Sequence, residues 1–169
     1  SKNSAGKRYG DLMANKWKLD MKIPEYTKDF IVEDAMDVKN VANGVKLIFC
    51  AVNLDKKELV ALEEAYAKEE VVVVSNNSAN RMKADVPMII PEINAKHLDI
   101  VDVQRKRLGT KKGFIVVKPN CSIQSYVPVF AAIKEFGIKE ASICTYQAIS
   151  GSGRTFEEWP EMVGNIIPY

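Results

Sequence analysis

The sequence predicts an α/β fold in which a doubly wound, mainly parallel sheet occupies roughly the first 120 residues. Three observations predict it. Apolar, β-branched runs recur at "VKLIFCAV", "VVVVS" and "GFIVV". Between them lie stretches of helical period such as "DKKELVALEEAYAKEE" and "AKHLDIVDVQRKRL". Turn-forming residues separate the two kinds of segment. Strands alternating with helices imply βαβ units, and those build parallel sheets.

Taken in order, Ser4 is expected to cap a helix through "AGKRYGDLMANK", its hydroxyl accepting from a first-turn N–H. "FIVED" reads as a short strand. "VKLIFCAV" reads as a strand buried on both faces, because its apolar run is continuous. In the next helix Leu59, Leu62 and Tyr66 share a face, with the charged residues read as a solvated surface. "VVVVS" is too β-branched to favour helix. "NNSANRMKADVPMIIPE" is loop, with "MII" a short extended piece between prolines. Asn94 is expected to cap a helix that Gly109 ends. After "GFIVV" the chain turns through "KPNCS" into a helix with Ile123, Val127, Phe130 and Ile133 on one face, kinked at Pro128. "EASICTYQA" is the last expected strand, with Cys144 in the core, and "ISGSGRTFEEWPEMVGNIIPY" is an irregular tail. Neither end reads as a natural boundary, so the chain is expected to be part of a longer protein.

Composition narrows the function. The 169 residues are 47% hydrophobic and 27% charged with a net charge of +2, which calls for neither nucleic acid nor an anionic membrane as partner. No apolar run approaches the roughly 18 to 20 residues that span a bilayer, and no secretory signal is visible. Three cysteines without a CxxC pair suit a reducing, cytoplasmic setting. With His97 the single histidine, a zinc site would need ligands scattered over the whole chain, so no metal is expected.

Chemistry concentrates at Cys121. It sits where a buried strand breaks through Lys118, Pro119 and Asn120 into a helix. The unpaired N–H groups and dipole of a helix start favour thiolate over thiol, and open α/β sheets place ligands at the carboxyl ends of their strands. A small cysteine that only packs is the alternative.

"KPNCS" resembles the active-site signature N-P-N-C-S/T of aspartate-semialdehyde dehydrogenases. "TYQAISGSG" is similar to that family's T-x-Q-A-V/I-S-G-A-G, and "SNNSANRMKADVPMIIPEIN" to its S-N-x-x-x-x-R-M-x-x-D-V-P-L-V-I-P-E-V-N. The opening "SKNSAGK" resembles S-x-R-S-A-G-K. The blocks keep the family's order and cover nearly the whole chain, in the manner of the branch found in archaea, fungi and some bacteria.

The resemblance implies a partial Rossmann-like NAD(P)-binding domain over residues 1–120 and, over 121–169, the start of an α+β catalytic and dimerisation domain. It implies NADP-dependent reductive dephosphorylation of aspartyl phosphate to aspartate semialdehyde, or the reverse, within lysine, threonine and methionine biosynthesis. Cys121 would be the nucleophile and Gln147 would orient the thioester, unless it is only a polar strand-end residue. Arg81 would bind phosphate, since a guanidinium grips two oxygens in a planar fork; a plain surface arginine is the alternative. Asn120 would line the same pocket or serve only as a turn-former. Ser1, Asn3 and Ser4 would approach the adenosine 2′-phosphate, Cys50 would line the cofactor crevice or pack the core, and Ser150, Gly151 and Gly153 would approach the nicotinamide. Asn3 stands where the family commonly has arginine, which leaves NAD as an alternative cofactor. The family's catalytic histidine falls beyond these blocks, and no G-x-x-G-x-x-G occurs. This stretch alone is therefore expected to lack turnover, and the whole enzyme is expected to be a homo-oligomer. A related acyl-CoA (malonyl-CoA) reductase, and a non-catalytic oligomerisation scaffold, are the competing readings.

Overall fold

Three short parallel strands carry the fold. The computed structural model describes residues 3–152 and 154–168. Strands β1 (Leu47–Cys50), β2 (Val72–Ser75) and β3 (Phe114–Val117) lie in that order. Leu47 stands beside Val72 and Val72 beside Phe114, and the register runs on to Cys50, Ser75 and Val117. The first crossover is α3 (Lys56–Lys68), and the second contains α4 (Pro91–Asn94), a 3-10 segment Ala95–Ile100 and α5 (Val101–Leu108). Before β1 come α1 (Tyr9–Met13) and α2 (Val38–Gly44); after β3 come α6 (Cys121–Gln124) and α7 (Val127–Ala132).

Two crossovers that advance in the same direction along a sheet put their helices on the same face. Val73, Ile115 and Val117 are buried on that face with Cys50, against Leu62, Tyr66 and Ala67 of α3 and Leu108 of α5. On the opposite face Leu47 is 48% and Phe49 81% exposed. The run "VKLIFCAV" is therefore an edge strand covered on one side, not a strand buried on both, and no strand pairs with its outer edge among the described residues. The sheet is the open, parallel α/β type the sequence predicts.

The helices start and stop for identifiable reasons. Asp55 caps α3, its Oδ1 accepting from the N–H groups of Lys57 at 2.8 Å and Glu58 at 3.0 Å. Gly109, at φ 74°, ends α5 in the left-handed region, and its N–H donates to Arg105 O at 2.8 Å. The helix expected over residues 5–16 shrinks to α1. Gly6, at φ 80°, interrupts it, and the N–H groups of Gly6, Tyr9 and Gly10 donate to Val32, Phe30 and Lys28 across the chain instead of along a helix. Ser4 is thus not the cap; it lies in the preceding turn, its carbonyl accepting from Lys7 N–H at 3.3 Å. "FIVED" contributes an antiparallel bridge between Arg8 and Ile31 and no longer strand.

Further along, Asn94 does not cap the next helix. Its side chain turns back, accepting from Ile90 N–H at 2.8 Å and donating to Met88 O at 2.9 Å. That holds the "MII" piece extended, and Met88 bridges Val117 in parallel. The expected helix after "KPNCS" is broken at Ser125 and Tyr126, just ahead of Pro128.

The described chain forms two compact units, Ser1–Ala131, which contains the sheet, and Ala132–Tyr169. In the second, the expected strand "EASICTYQA" does not form among the described residues, and Cys144 is exposed, not core. A strand needs a neighbour to satisfy its backbone, and the apolar pattern alone does not supply one. Short 3-10 turns at Lys134–Phe136, Ile149–Ser152 and Pro160–Met162 account for its regular structure.

Two side chains finish backbone edges. Gln104, fully buried, spans the free side of β3: its Oε1 accepts from Ile115 N–H at 2.6 Å, and its Nε2 donates to Ile115 O and Asp85 O, each at 2.9 Å. Replacing it with leucine strands a buried N–H and a buried carbonyl, so Gln104→Leu is expected to lower unfolding stability by roughly 2–4 kcal/mol in a denaturant titration. Glu70, in the left-handed region at φ 64°, accepts from the N–H groups of Lys111, Lys112 and Gly113. Those backbone donors hold its carboxyl below its ordinary value of 4.5. With the folded-state value depressed, the stabilisation is complete above 4.5 and is lost as pH falls through the folded value. The stability gap between the wild-type protein and Glu70→Gln is therefore expected to be widest near neutral pH and to close in acid, as read from unfolding midpoints across a pH series.

Candidate active site

The carboxyl ends of all three strands converge on loops that carry the predicted chemistry. At β3 the exit is tightly held: Val117 N–H donates to Pro87 O at 2.9 Å, and Lys118 N–H to Ser75 O at 3.0 Å. Pro119 is buried, and Gln124 Nε2 donates to its carbonyl at 3.0 Å. Asn120 then caps α6, its Oδ1 accepting from Ser122 N–H at 2.8 Å. Cys121, the first residue of α6, is exposed to solvent at the carboxyl end of the sheet. Because α6 runs only from Cys121 to Gln124, what surrounds the sulfur is a first helical turn and the Asn120 cap, not the long dipole expected from sequence.

Arg81 belongs to the same end of the sheet. Its Nε donates to Lys118 O at 3.1 Å and its Nη2 to Asn76 O at 3.3 Å. The guanidinium is thus tied to the backbone that leads from β3 through Pro119 and Asn120 to Cys121. Arg8, Arg105 and Arg107 are ion-paired with carboxylates, whereas among the described residues Arg81 has no carboxylate partner. The donors not used on carbonyls remain available for an anion.

Beneath the loop lies a polar cluster that sequence reasoning missed. Glu63 of α3 is fully buried. Its Oε1 accepts from Ser75 Oγ at 2.5 Å and from Asn77 Nδ2 at 3.3 Å, and its Oε2 from Asn80 Nδ2 at 2.6 Å. The signal was present: Glu63 follows Leu59 by one helical turn, on the stripe that also holds Leu62 and Tyr66. Around the cluster, Glu64 takes Lys83 and Arg107, and Arg107 also pairs with Asp85. Burial pushes the Glu64 carboxyl up, but the two cations beside it hold it below the usual range.

Cys50, at the end of β1, is buried, and Asn77 Nδ2 reaches its Sγ at 3.4 Å. Burial, with a further push from the Glu63 carboxylate, raises its thiol above the ordinary value. It is a core residue at the margin of the site. His97 is exposed, its Nδ1 3.3 Å from Met88 N. In the opening turn Asn3 is exposed and Ser4 half-buried, while Ser1 lies outside the described residues, as does Gly153. In the second unit Gln147 and Ser150 are exposed. A Cβ placed on Gly151 would stand 2.5 Å from Gln147 Nε2, so the absent side chain makes room for the Gln147 amide.

Comparisons with known proteins place the chain in a family. Residues 1–101 match the family described as semialdehyde dehydrogenase, NAD binding domain. The chain is 38% identical over 170 residues to the aspartate-semialdehyde dehydrogenase of Methanothermobacter thermautotrophicus, covering 100% of this chain and 47% of that protein. It is 34% identical over 171 residues to that of Aspergillus fumigatus, covering 100% and 46%. The crystal structure of aspartate semialdehyde dehydrogenase with NADP from Candida albicans superposes with a TM-score of 0.70 at 30% identity, over 100% of this chain and 46% of that one. The chain spans about half the length of the curated relatives it matches.

The three cysteines differ in access: Cys121 and Cys144 are exposed and Cys50 is buried. Brief iodoacetamide treatment of the folded protein followed by peptide mass analysis is expected to label Cys121 and Cys144, with Cys50 labelled only after denaturation. Early modification of Cys50 would contradict the packing described here.

Proposed function

The chain belongs to the semialdehyde dehydrogenase family through its NAD-binding domain, and on that premise we propose that the complete protein interconverts aspartyl phosphate and aspartate semialdehyde through a thioester on Cys121. The observation that carries this reading is a solvent-accessible cysteine at the carboxyl end of a parallel sheet, on the backbone stretch that an ion-pair-free arginine grips.

In the reductive direction the Cys121 sulfur attacks the acyl carbon of aspartyl phosphate. A carbon–sulfur bond forms, the bond to the phosphate oxygen breaks, and phosphate leaves with the electron pair. Arg81, with donors left over beyond Lys118 and Asn76, holds the departing phosphate, and in the oxidative direction it presents phosphate to the thioester. Sulfur suits both directions because its thioester stays reactive toward oxygen nucleophiles. Asn120 fixes the backbone at Cys121 by capping α6, and Gln147 orients the thioester region. A coenzyme A acceptor, as in a related acyl-CoA reductase, would not require a fork for free phosphate, so Arg81 favours the phosphorylating enzyme.

The cofactor is NADP or NAD, which when bound supplies or accepts the hydride. Asn3 and Ser4 offer amide and hydroxyl groups that fit a ribose hydroxyl or a phosphate oxygen. The nearby Arg8 is ion-paired with Asp29 and does not replace the arginine commonly found at position 3. That donor set accommodates both nucleotides and commits to neither. Ser1, Ser150, Gly151 and Gly153 complete the proposed cofactor contacts, and Cys50 is left to core packing. Residues 121–169 begin the catalytic and dimerisation domain, and the complete enzyme is a cytoplasmic homo-oligomer. No helix among the described residues is long and apolar enough to cross a membrane.

Steady-state kinetics on the complete protein test the assignment. Cys121→Ser is expected to lower kcat on the order of 1,000-fold or more. Arg81→Lys is expected to raise the KM for phosphate about tenfold or more, since lysine cannot reproduce the planar fork. Turnover retained in Cys121→Ser would sink the covalent route, and an unchanged phosphate KM in Arg81→Lys would remove the phosphate contact.

A further inference from the structure

We propose that Glu63 is a positioning residue for Arg81: by gripping Ser75, Asn77 and Asn80 from inside the core, it sets the loop so that the guanidinium meets the end of β3. The substrate-level consequence rests on the reading of Arg81 as the phosphate contact.

Nothing in the reaction requires a carboxyl group beneath this loop. A polar group removed from water must recover its hydrogen bonds, and Glu63 accepts three from one segment. Its donors are Ser75 at the end of β2 and Asn77 and Asn80 within the loop. Asn80, itself fully buried, directly precedes Arg81. Its Oδ1 has no partner among the described residues. The amide is therefore oriented by the single bond from its nitrogen to Glu63, at the expense of its oxygen.

The chain between these anchors is tightly turned. Arg81 N–H donates to Ser78 O at 3.2 Å, and Lys83 N–H to Asn80 O at 3.2 Å. Arg81 then has one route outward, over Asn76 and on to Lys118. The outer side of the loop is fastened separately through Lys83 and Glu64. Glu63 thus fixes the inner side, and with it where the guanidinium starts from. It touches no substrate in this scheme and acts only through the residues it holds.

The test uses the complete protein with two variants. Glu63→Gln keeps shape and burial but offers one oxygen where there were two. Asn77→Ala removes one strut and leaves the carboxylate its bonds to Ser75 and Asn80. Two readouts follow each. Amide hydrogen exchange over residues 76–83, with the rate of Arg81 modification by phenylglyoxal, reports the loop without reference to activity. The KM for phosphate, set against kcat and the KM for the aldehyde, reports the consequence.

Exchange in that window is expected to quicken about tenfold while the rest of the sheet is unchanged, and Arg81 is expected to modify faster. Phosphate KM is expected to rise about fivefold or more with kcat within about twofold. Unchanged exchange and unchanged Arg81 reactivity in a folded variant overturn the proposal. So does a fall in kcat with no selective change in phosphate KM, which is the mark of a merely less stable protein. If Glu63→Gln does not fold, Asn77→Ala decides by the same criteria. If the loop loosens as expected but the wild-type protein shows no phosphate dependence, the positioning stands and the proposed function fails.

Discussion

Among the described residues strand β3 has a strand neighbour on one side only, and the Gln104 side chain stands in for the other. A carboxamide presents an acceptor and a donor at nearly the spacing of a peptide group, so it can pair with Ile115 as a strand would. Without that pairing the middle of β3 would bury unmet backbone groups in an apolar layer, a cost that no nearby contact offsets. One residue pair further on, Pro87 and Ile89 take over the same edge at Val117. The strand is therefore satisfied along its length and ends abruptly, which is why Pro119, Asn120 and Cys121 emerge at a fixed place. The same amide also holds Asp85 O, so the strand edge and the loop before α4 are fixed by one side chain.

The carboxyl end of the sheet is built from polar groups on two levels. Above, Arg81 faces outward, with backbone carbonyls as its partners and no carboxylate to neutralise it among the described residues. Below, Glu63 faces inward and gathers the loop. Keeping the acid and the base on opposite sides of the same loop keeps them from pairing with each other. A guanidinium already committed to a buried carboxylate would be a poor ligand for phosphate; one held by neutral carbonyls retains its charge for an incoming anion.

Much of this was legible in the sequence. The three strands, the helix between the first two, the Gly109 stop and the extended "MII" piece follow from apolar periodicity and turn chemistry, which are local properties. Most departures are cases where a partner outside the expected element decided. Ser4 lost its capping role because residues 6–10 bond to residues 28–32. Asn94 turned back to the loop it follows. Among the described residues, Phe49 is bare because helices reach only one face of its strand, and "EASICTYQA" has the composition of a strand without a neighbour to pair with. Glu63 was misread for a different reason. A charged residue on an apolar stripe looks like an imperfection until the residues that bond to it are known, and those lie in another element. Cys121 was proposed from its place at a strand-to-helix break as well as from motif likeness, and Arg81 and Gln147 from motif likeness; the Lys118 carbonyl that links Arg81 to the cysteine's strand carries no sequence signature, because any residue has one.

The uncovered face and outer edge of β1 have a practical side. Phe49 projects into solvent from a strand whose next row of N–H and C=O groups is unpaired among the described residues. Such an edge is a template on which another chain can add a strand, and a neighbouring aromatic ring rewards the addition. Expressed by itself, this stretch of polypeptide is accordingly a candidate for self-association into sheet-extended oligomers, and a lysine at position 49 is the smallest change that would discourage it.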